Sequence, residues 1–119
     1  MKLIVAYIRP ERLTAVKQAL YAKSIYSMTV TNVLGSGRQK GFTETYRGVA
    51  MEVNLLKKIR IEVGINDDFL DPALEAIQSG AQTGKEGDGV VFVLDIARSL
   101  RIRTGDTDID AVAATRTAP

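Results

Sequence analysis

The chain has no cysteine, no histidine and no tryptophan in its 119 residues. Without cysteine there are no disulfides, no thiol catalysis, no iron–sulfur cluster and no thiolate zinc site. Without histidine there is no imidazole general base, no His-based triad and no His-ligated metal. Any metal would be a hard cation held by oxygen ligands. Proline is scarce, at 3 residues, and a surplus of one charge is nearly absent: 16 Lys and Arg face 14 Asp and Glu, for a net +2. That excess is too small to imply nucleic acid or a membrane surface as a partner. The apolar runs, such as Val90–Leu94, fall far short of the roughly twenty residues that a membrane span needs. The opening MKLIVAYIRPE lacks a long apolar core followed by a cleavage site, so it does not read as a signal peptide. The expected location is cytoplasmic.

What is present suits one globular domain. The chain is 45% hydrophobic and 25% charged, an ordinary balance for a folded protein. A chain of this length buries about two-thirds of its unfolded surface. KLIVAYI at 2–8 reads as a strand ended by Arg9-Pro10. Residues 10–23 carry Leu13, Val16, Ala19 and Leu20 on one helical face. SMTVTNVL at 27–34 alternates as a strand. GSGRQKGFTETYRG at 35–48 has four glycines and no sustained periodicity, so it reads as a long loop, a length usually tied to function. LLKKIRIEVGI at 55–65 sets Ile59, Ile61, Val63 and Ile65 against Lys58, Arg60 and Glu62. A helix is expected to about Ser79, burying Leu70, Leu74 and Ile77, with Pro72 in its first turn. VVFVLDI at 90–96 is a fourth strand, RSLRIR at 98–103 a short extended piece, and the tail after Gly105 frays or forms a short helix.

This order, β-α-β-loop-β-α-β, fits an α+β ferredoxin-like fold (βαββαβ) with a four-stranded antiparallel sheet. Two helices cover one face of such a sheet. Strand 2–8 is apolar on both, with Leu3, Val5 and Tyr7 opposite Ile4, Ala6 and Ile8, and strand 90–96 repeats this. The uncovered apolar face implies a partner subunit, hence a homo-oligomer.

Four segments could carry chemistry. TGKEGDG at 83–89 could form an anion-binding nest of backbone N–H groups, or simply a helix C-cap and tight turn. It is no Walker A loop, since no Gly-Lys-Ser/Thr closes it. In RIRTG at 101–105, Arg101 and Arg103 would point one way if extended and suit a polyphosphate; the plainer reading is a solvated basic edge. The long loop carries Arg38, Lys40, Arg47, Phe42 and Tyr46, as a recognition segment or as disordered chain. Lys58 beside it is either a carboxylate anchor or a salt bridge with Glu62 or a neighbour.

Taken in order and spacing, SMTVTNVLGSGRQKGFTETYRG, LLKKIRIEV, AQTGKEGDG and RIRTG resemble the PII signal-transduction family, over about residues 1–112 with 113–119 as a disordered tail. The long segment, about 37–54, then corresponds to the family's T-loop. The resemblance implies a homotrimer that is not an enzyme. Adenine nucleotides, ATP or ADP, occupy clefts between subunits, and 2-oxoglutarate joins Mg-ATP. The T-loop docks on a membrane transporter or a metabolic enzyme in nitrogen regulation and carbon metabolism, so membrane association would come through the partner. It also implies the residues: Gly87, Asp88, Gly89, Arg101 and Arg103 for phosphates, Arg38 for the terminal phosphate, and Met28, Thr29, Gly35 and Gly64 for ribose and adenine. Gln39 would ligate Mg and meet the metabolite, Lys58 would pair with a 2-oxoglutarate carboxylate, and Arg47 and Tyr46 would meet partners.

Several positions depart from that pattern. Val90 stands where most members carry lysine; losing one charge-assisted bond costs on the order of 1.5–3 kcal/mol. Gly64 and Tyr7 stand where Val-like and Ile-like residues are usual, which reshapes the adenine pocket. Met51 replaces the tyrosine that some members modify and has no hydroxyl nucleophile. The reading is therefore a divergent PII protein with a weakened or altered ATP/2-oxoglutarate response, ADP or AMP being favoured. The alternative is a paralogue sensing bicarbonate, linked to a bicarbonate transporter or carboxysome. An enzyme on this fold lacks an activated nucleophile or paired carboxylates. An RNA-binding module would need more exposed sheet aromatics than Tyr7.

Overall fold

A computed structural model describes residues 1–36, 43–46, 49–52 and 55–113, the two short internal stretches as backbone alone. Strand β1, Lys2–Ile8, ends at Arg9. Pro10 opens a 3-10 turn, Pro10–Arg12, where its missing N–H costs nothing and its fixed φ suits the entry. The turn runs into α1, Leu13–Ala22. Strand β2, Thr29–Gly35, follows. Next come β3, Thr43–Tyr46, and β4, Val49–Glu52, which pair antiparallel as a separate two-stranded ribbon. This corrects the reading of 35–48 as loop throughout. A four-residue strand with charged and hydroxyl side chains carries too little apolar alternation to register. Strand β5, Leu56–Ile65, leads through a 3-10 turn to α2, Leu70–Ala81. Strand β6, Gly89–Asp95, and the short α3, Asp108–Ala113, complete the chain.

The four-stranded sheet has the order β2-β5-β1-β6, all pairs antiparallel. With α1 and α2 on one face, this is the expected α+β ferredoxin-like arrangement. The core lies between that face and the helices: Ile4, Ala6 and Ile8 of β1 and Ile59, Ile61 and Val63 of β5 meet Val16, Leu20, Ala73 and Ile77. Leu70 and Leu74 are only partly buried against it; the alanines Ala73 and Ala76 take the innermost places. Small residues are needed there because the helices nearly touch. A Cβ built on Gly80 would lie 2.8 Å from the Val16 Cα.

The opposite face carries no helix. Direct cross-strand partners share a face, so Leu3, Val5 and Tyr7 line up with Leu94, Phe92 and Val90. Those three β6 side chains are about half exposed. The predicted second apolar face is therefore real in the single chain.

Residues 98–103 are not extended. Leu100 forms an isolated bridge to Thr107, Arg101 N donates to Asp106 O at 2.8 Å, and Gly105 N donates to Arg101 O at 2.8 Å. Gly105, at φ +76°, takes the left-handed conformation that reverses the chain. Arg101 and Arg103 thus sit on a turn, and the two-residue spacing does not aim them together.

Candidate functional site

The loop between α2 and β6 is built around one carboxylate. Asp88 accepts from Thr83 N at 2.7 Å, Gly84 N at 2.9 Å, the Thr83 hydroxyl, and Arg9 Nε at 3.0 Å. The Thr83 hydroxyl and N–H, then Arg9 and the Gly84 N–H, hold its carboxyl well below the usual carboxylate range. Asp88 therefore acts through its side chain as a loop staple. Gly84, Gly87 and Gly89 all have positive φ, which lets the loop turn tightly. Gly89 has a second reason: a Cβ there would lie 1.7 Å from the Tyr7 carbonyl oxygen.

Lys58 rises from the helix-free face of β5 and donates to Gly87 O at 2.6 Å. Burial pushes its ammonium down from the ordinary lysine value, and the nearby Arg9 charge adds to this; Glu11 and Asp88 oppose it. The expected partner Glu62 instead lies 3.6 Å from Arg60. Around Lys58 opens a cleft of about 570 Å³, walled by Tyr7, Gly35, Gly87, Gly89 and Val90. Two cations, Lys58 and Arg60, glycine backbone and one aromatic ring converge there.

Met28, Thr29 and Gly64 gather elsewhere. With Glu62 and Ala111 they line a second cleft of about 430 Å³. Arg101 belongs to this group, since its guanidinium donates twice to Ala111 O, at 3.0 and 2.7 Å. Lys58 and Gly64 are six residues apart on one strand, roughly 20 Å. The predicted residues that the structure describes thus gather in two groups toward opposite ends of β5. Arg38, Gln39 and Arg47 lie outside the described residues, and Tyr46 is described only as backbone of β3. No group of acidic residues among the described ones could hold a metal. Arg9 was not foreseen; its partner is 79 positions away, and only the Arg-Pro at a strand end marks it.

The family model for nitrogen regulatory protein P-II matches residues 1–106. The chain belongs to the P-II family. Among curated relatives, the P-II protein of Rhizobium etli is 47% identical over 112 residues, spanning 94% of this chain and all of the relative. P-II 1 of Escherichia coli K12 is 50% identical over the same shares. Nitrogen regulatory protein GlnK1 of Methanosarcina mazei is 46% identical over 114 residues, covering 94% and 97%. The resemblance read from the motifs is thereby confirmed, and P-II proteins are regulators rather than enzymes. No described helix of this P-II chain is long and apolar enough to cross a membrane.

Proposed function

We propose that this P-II protein binds adenine nucleotides between subunits and relays their presence to a partner through the segment at 37–54. The observation that carries this is the split of the site residues into two half-sites. One chain holds Gly35, Lys58, Gly87 and Gly89 at one cleft and Met28, Thr29 and Gly64 at the other, with Arg101 bonded to Ala111 of that second lining. Each cleft holds only part of the phosphate-facing set and part of the base-facing set. Two copies meeting head to tail would join unlike halves, and a closed ring of three would give three complete sites. The apolar row on β6 supplies the surface such a ring buries.

Within the complete site the phosphates meet the 87–89 backbone and the Arg101–Arg103 turn, with Arg38 contributed by the segment at 37–54, and Lys58 pairs with a 2-oxoglutarate carboxylate. Gln39 is the oxygen ligand for Mg in the ATP state, and Arg47 and Tyr46 belong to the partner contact. Val90 puts an apolar side chain where a cation would hold outer phosphates. ADP or AMP is therefore favoured over ATP, and the 2-oxoglutarate response is weakened. The named relatives are nitrogen regulators, which favours a nitrogen role, with a transporter or metabolic enzyme as target, over bicarbonate sensing. Calorimetry with AMP, ADP and Mg-ATP, each with and without 2-oxoglutarate, tests the reading. Binding of ADP at least as tight as Mg-ATP is expected. Absence of binding by all three rejects the nucleotide reading; tight 2-oxoglutarate binding dependent on Mg-ATP rejects the altered preference alone.

A further inference from the structure

The Lys58 cleft has one aromatic wall among its described residues, and that wall is Tyr7. Tyr7 lies directly across from Arg60 on β5 and Val90 on β6, so all three rise from the helix-free face. Its ring is fixed from two sides. Phe92 meets it edge-on, with centroids 6.4 Å apart and planes at 75°. The Arg60 guanidinium carbon sits 5.9 Å from its centroid. Arg60 is itself steadied by Glu62 at 3.6 Å. A ring held this way loses little freedom when a flat ligand lies on it. The neighbouring wall, Val90, is apolar, and the cations among the cleft's described lining residues are Lys58 and Arg60. In the other half-site nothing lies within 4 Å of a Cβ placed on Gly64, so space is left open where a second copy would approach.

A flat π surface beside two cations, Lys58 and Arg60, and glycine backbone recognises a planar base carrying an anionic tail. We infer that Tyr7 is the base-stacking residue of the nucleotide site, and that stacking on its ring carries affinity that Val90 withholds from the outer phosphates. This rests on the nucleotide reading above. The open space at Gly64 accommodates the added thickness of ring plus base.

The test compares Tyr7→Leu, Tyr7→Phe and Tyr7→Trp. Leucine keeps apolar bulk and removes the π face; phenylalanine keeps the ring. Calorimetry with ADP is expected to show Tyr7→Leu weakened about 5- to 150-fold, and Tyr7→Phe within about twofold of the parent. Because the chain has no tryptophan, Tyr7→Trp introduces a single indole. Its emission should be quenched saturably by ADP with the Kd found by calorimetry. Equal ADP affinity in the parent and Tyr7→Leu, or an indole blind to ADP in a variant that binds it, overturns the stacking role while nucleotide binding stands. A parent chain that binds no adenine nucleotide overturns both.

Discussion

Asp88 ties Thr83, Gly84 and Arg9 into one charged knot, and its ionisation is part of the loop's fold. Its carboxyl titrates below the ordinary aspartate value of 3.8. The folded chain therefore favours the carboxylate. The stabilisation is complete above the unfolded value and is lost as pH falls through the lower, folded one. Asp88→Asn should lower the Tm at neutral pH. The gap to the parent should hold down to about pH 4 and close below it. Scanning calorimetry from about pH 2 to about pH 7 checks this; a gap independent of pH would reject the ionic staple. The loop's importance was readable in TGKEGDG, since glycines flank an aspartate before a strand. The staple was not, because Arg9 and Asp88 meet only after β1 and β6 pair.

At the scale of elements, α1 and α2 approach so closely that Gly80 faces the Val16 backbone. Gly80→Ala should force the helices apart and cost about 1–3 kcal/mol. Gly64→Ala, whose added methyl meets nothing within 4 Å, should stay within about 0.5 kcal/mol of the parent. Denaturant melts at one protein concentration compare the two. The long strands and both helices were legible because β5 alternates without a break and the helices keep their apolar spacing. What escaped was set by non-local contact. The β3–β4 ribbon shows almost no alternation, and the turn at 101–105 is fixed by Gly105 and by the bonds of Arg101 to Asp106 and Ala111. α2 also continues past Ser79 to Ala81, because Gly80 and Ala81 pack into the helix interface that would otherwise be a gap.

For the whole molecule, the helix-free face decides the assembly. Val90, Phe92 and Leu94 present apolar side chains in a row on an edge strand. In the proposed trimer they are covered, each contributing roughly 1.5–3 kcal/mol if fully buried. Phe92→Glu puts a charge there while leaving the helix-side core untouched. Light scattering should then report a mass near the 12.9 kDa of one chain, against three times that for the parent. A variant that keeps the parent's mass would show that this face is not the interface. Circular dichroism should meanwhile stay folded, since the core of Ile4, Ile61 and Ile77 lies on the other side.

The separation of the two half-sites along β5 has a consequence for mixtures. A chain crippled at Lys58 still carries a sound Gly64 half, and a chain blocked at Gly64 still carries a sound Lys58 half. In the proposed ring each copy lends one half to each neighbour, so two dead proteins, mixed and reassembled, should regain about one working site in four by random pairing. Binding in this protein is then a property owned by neighbours jointly, and a cell carrying two versions of the chain would hold rings whose sensitivity depends on who sits beside whom.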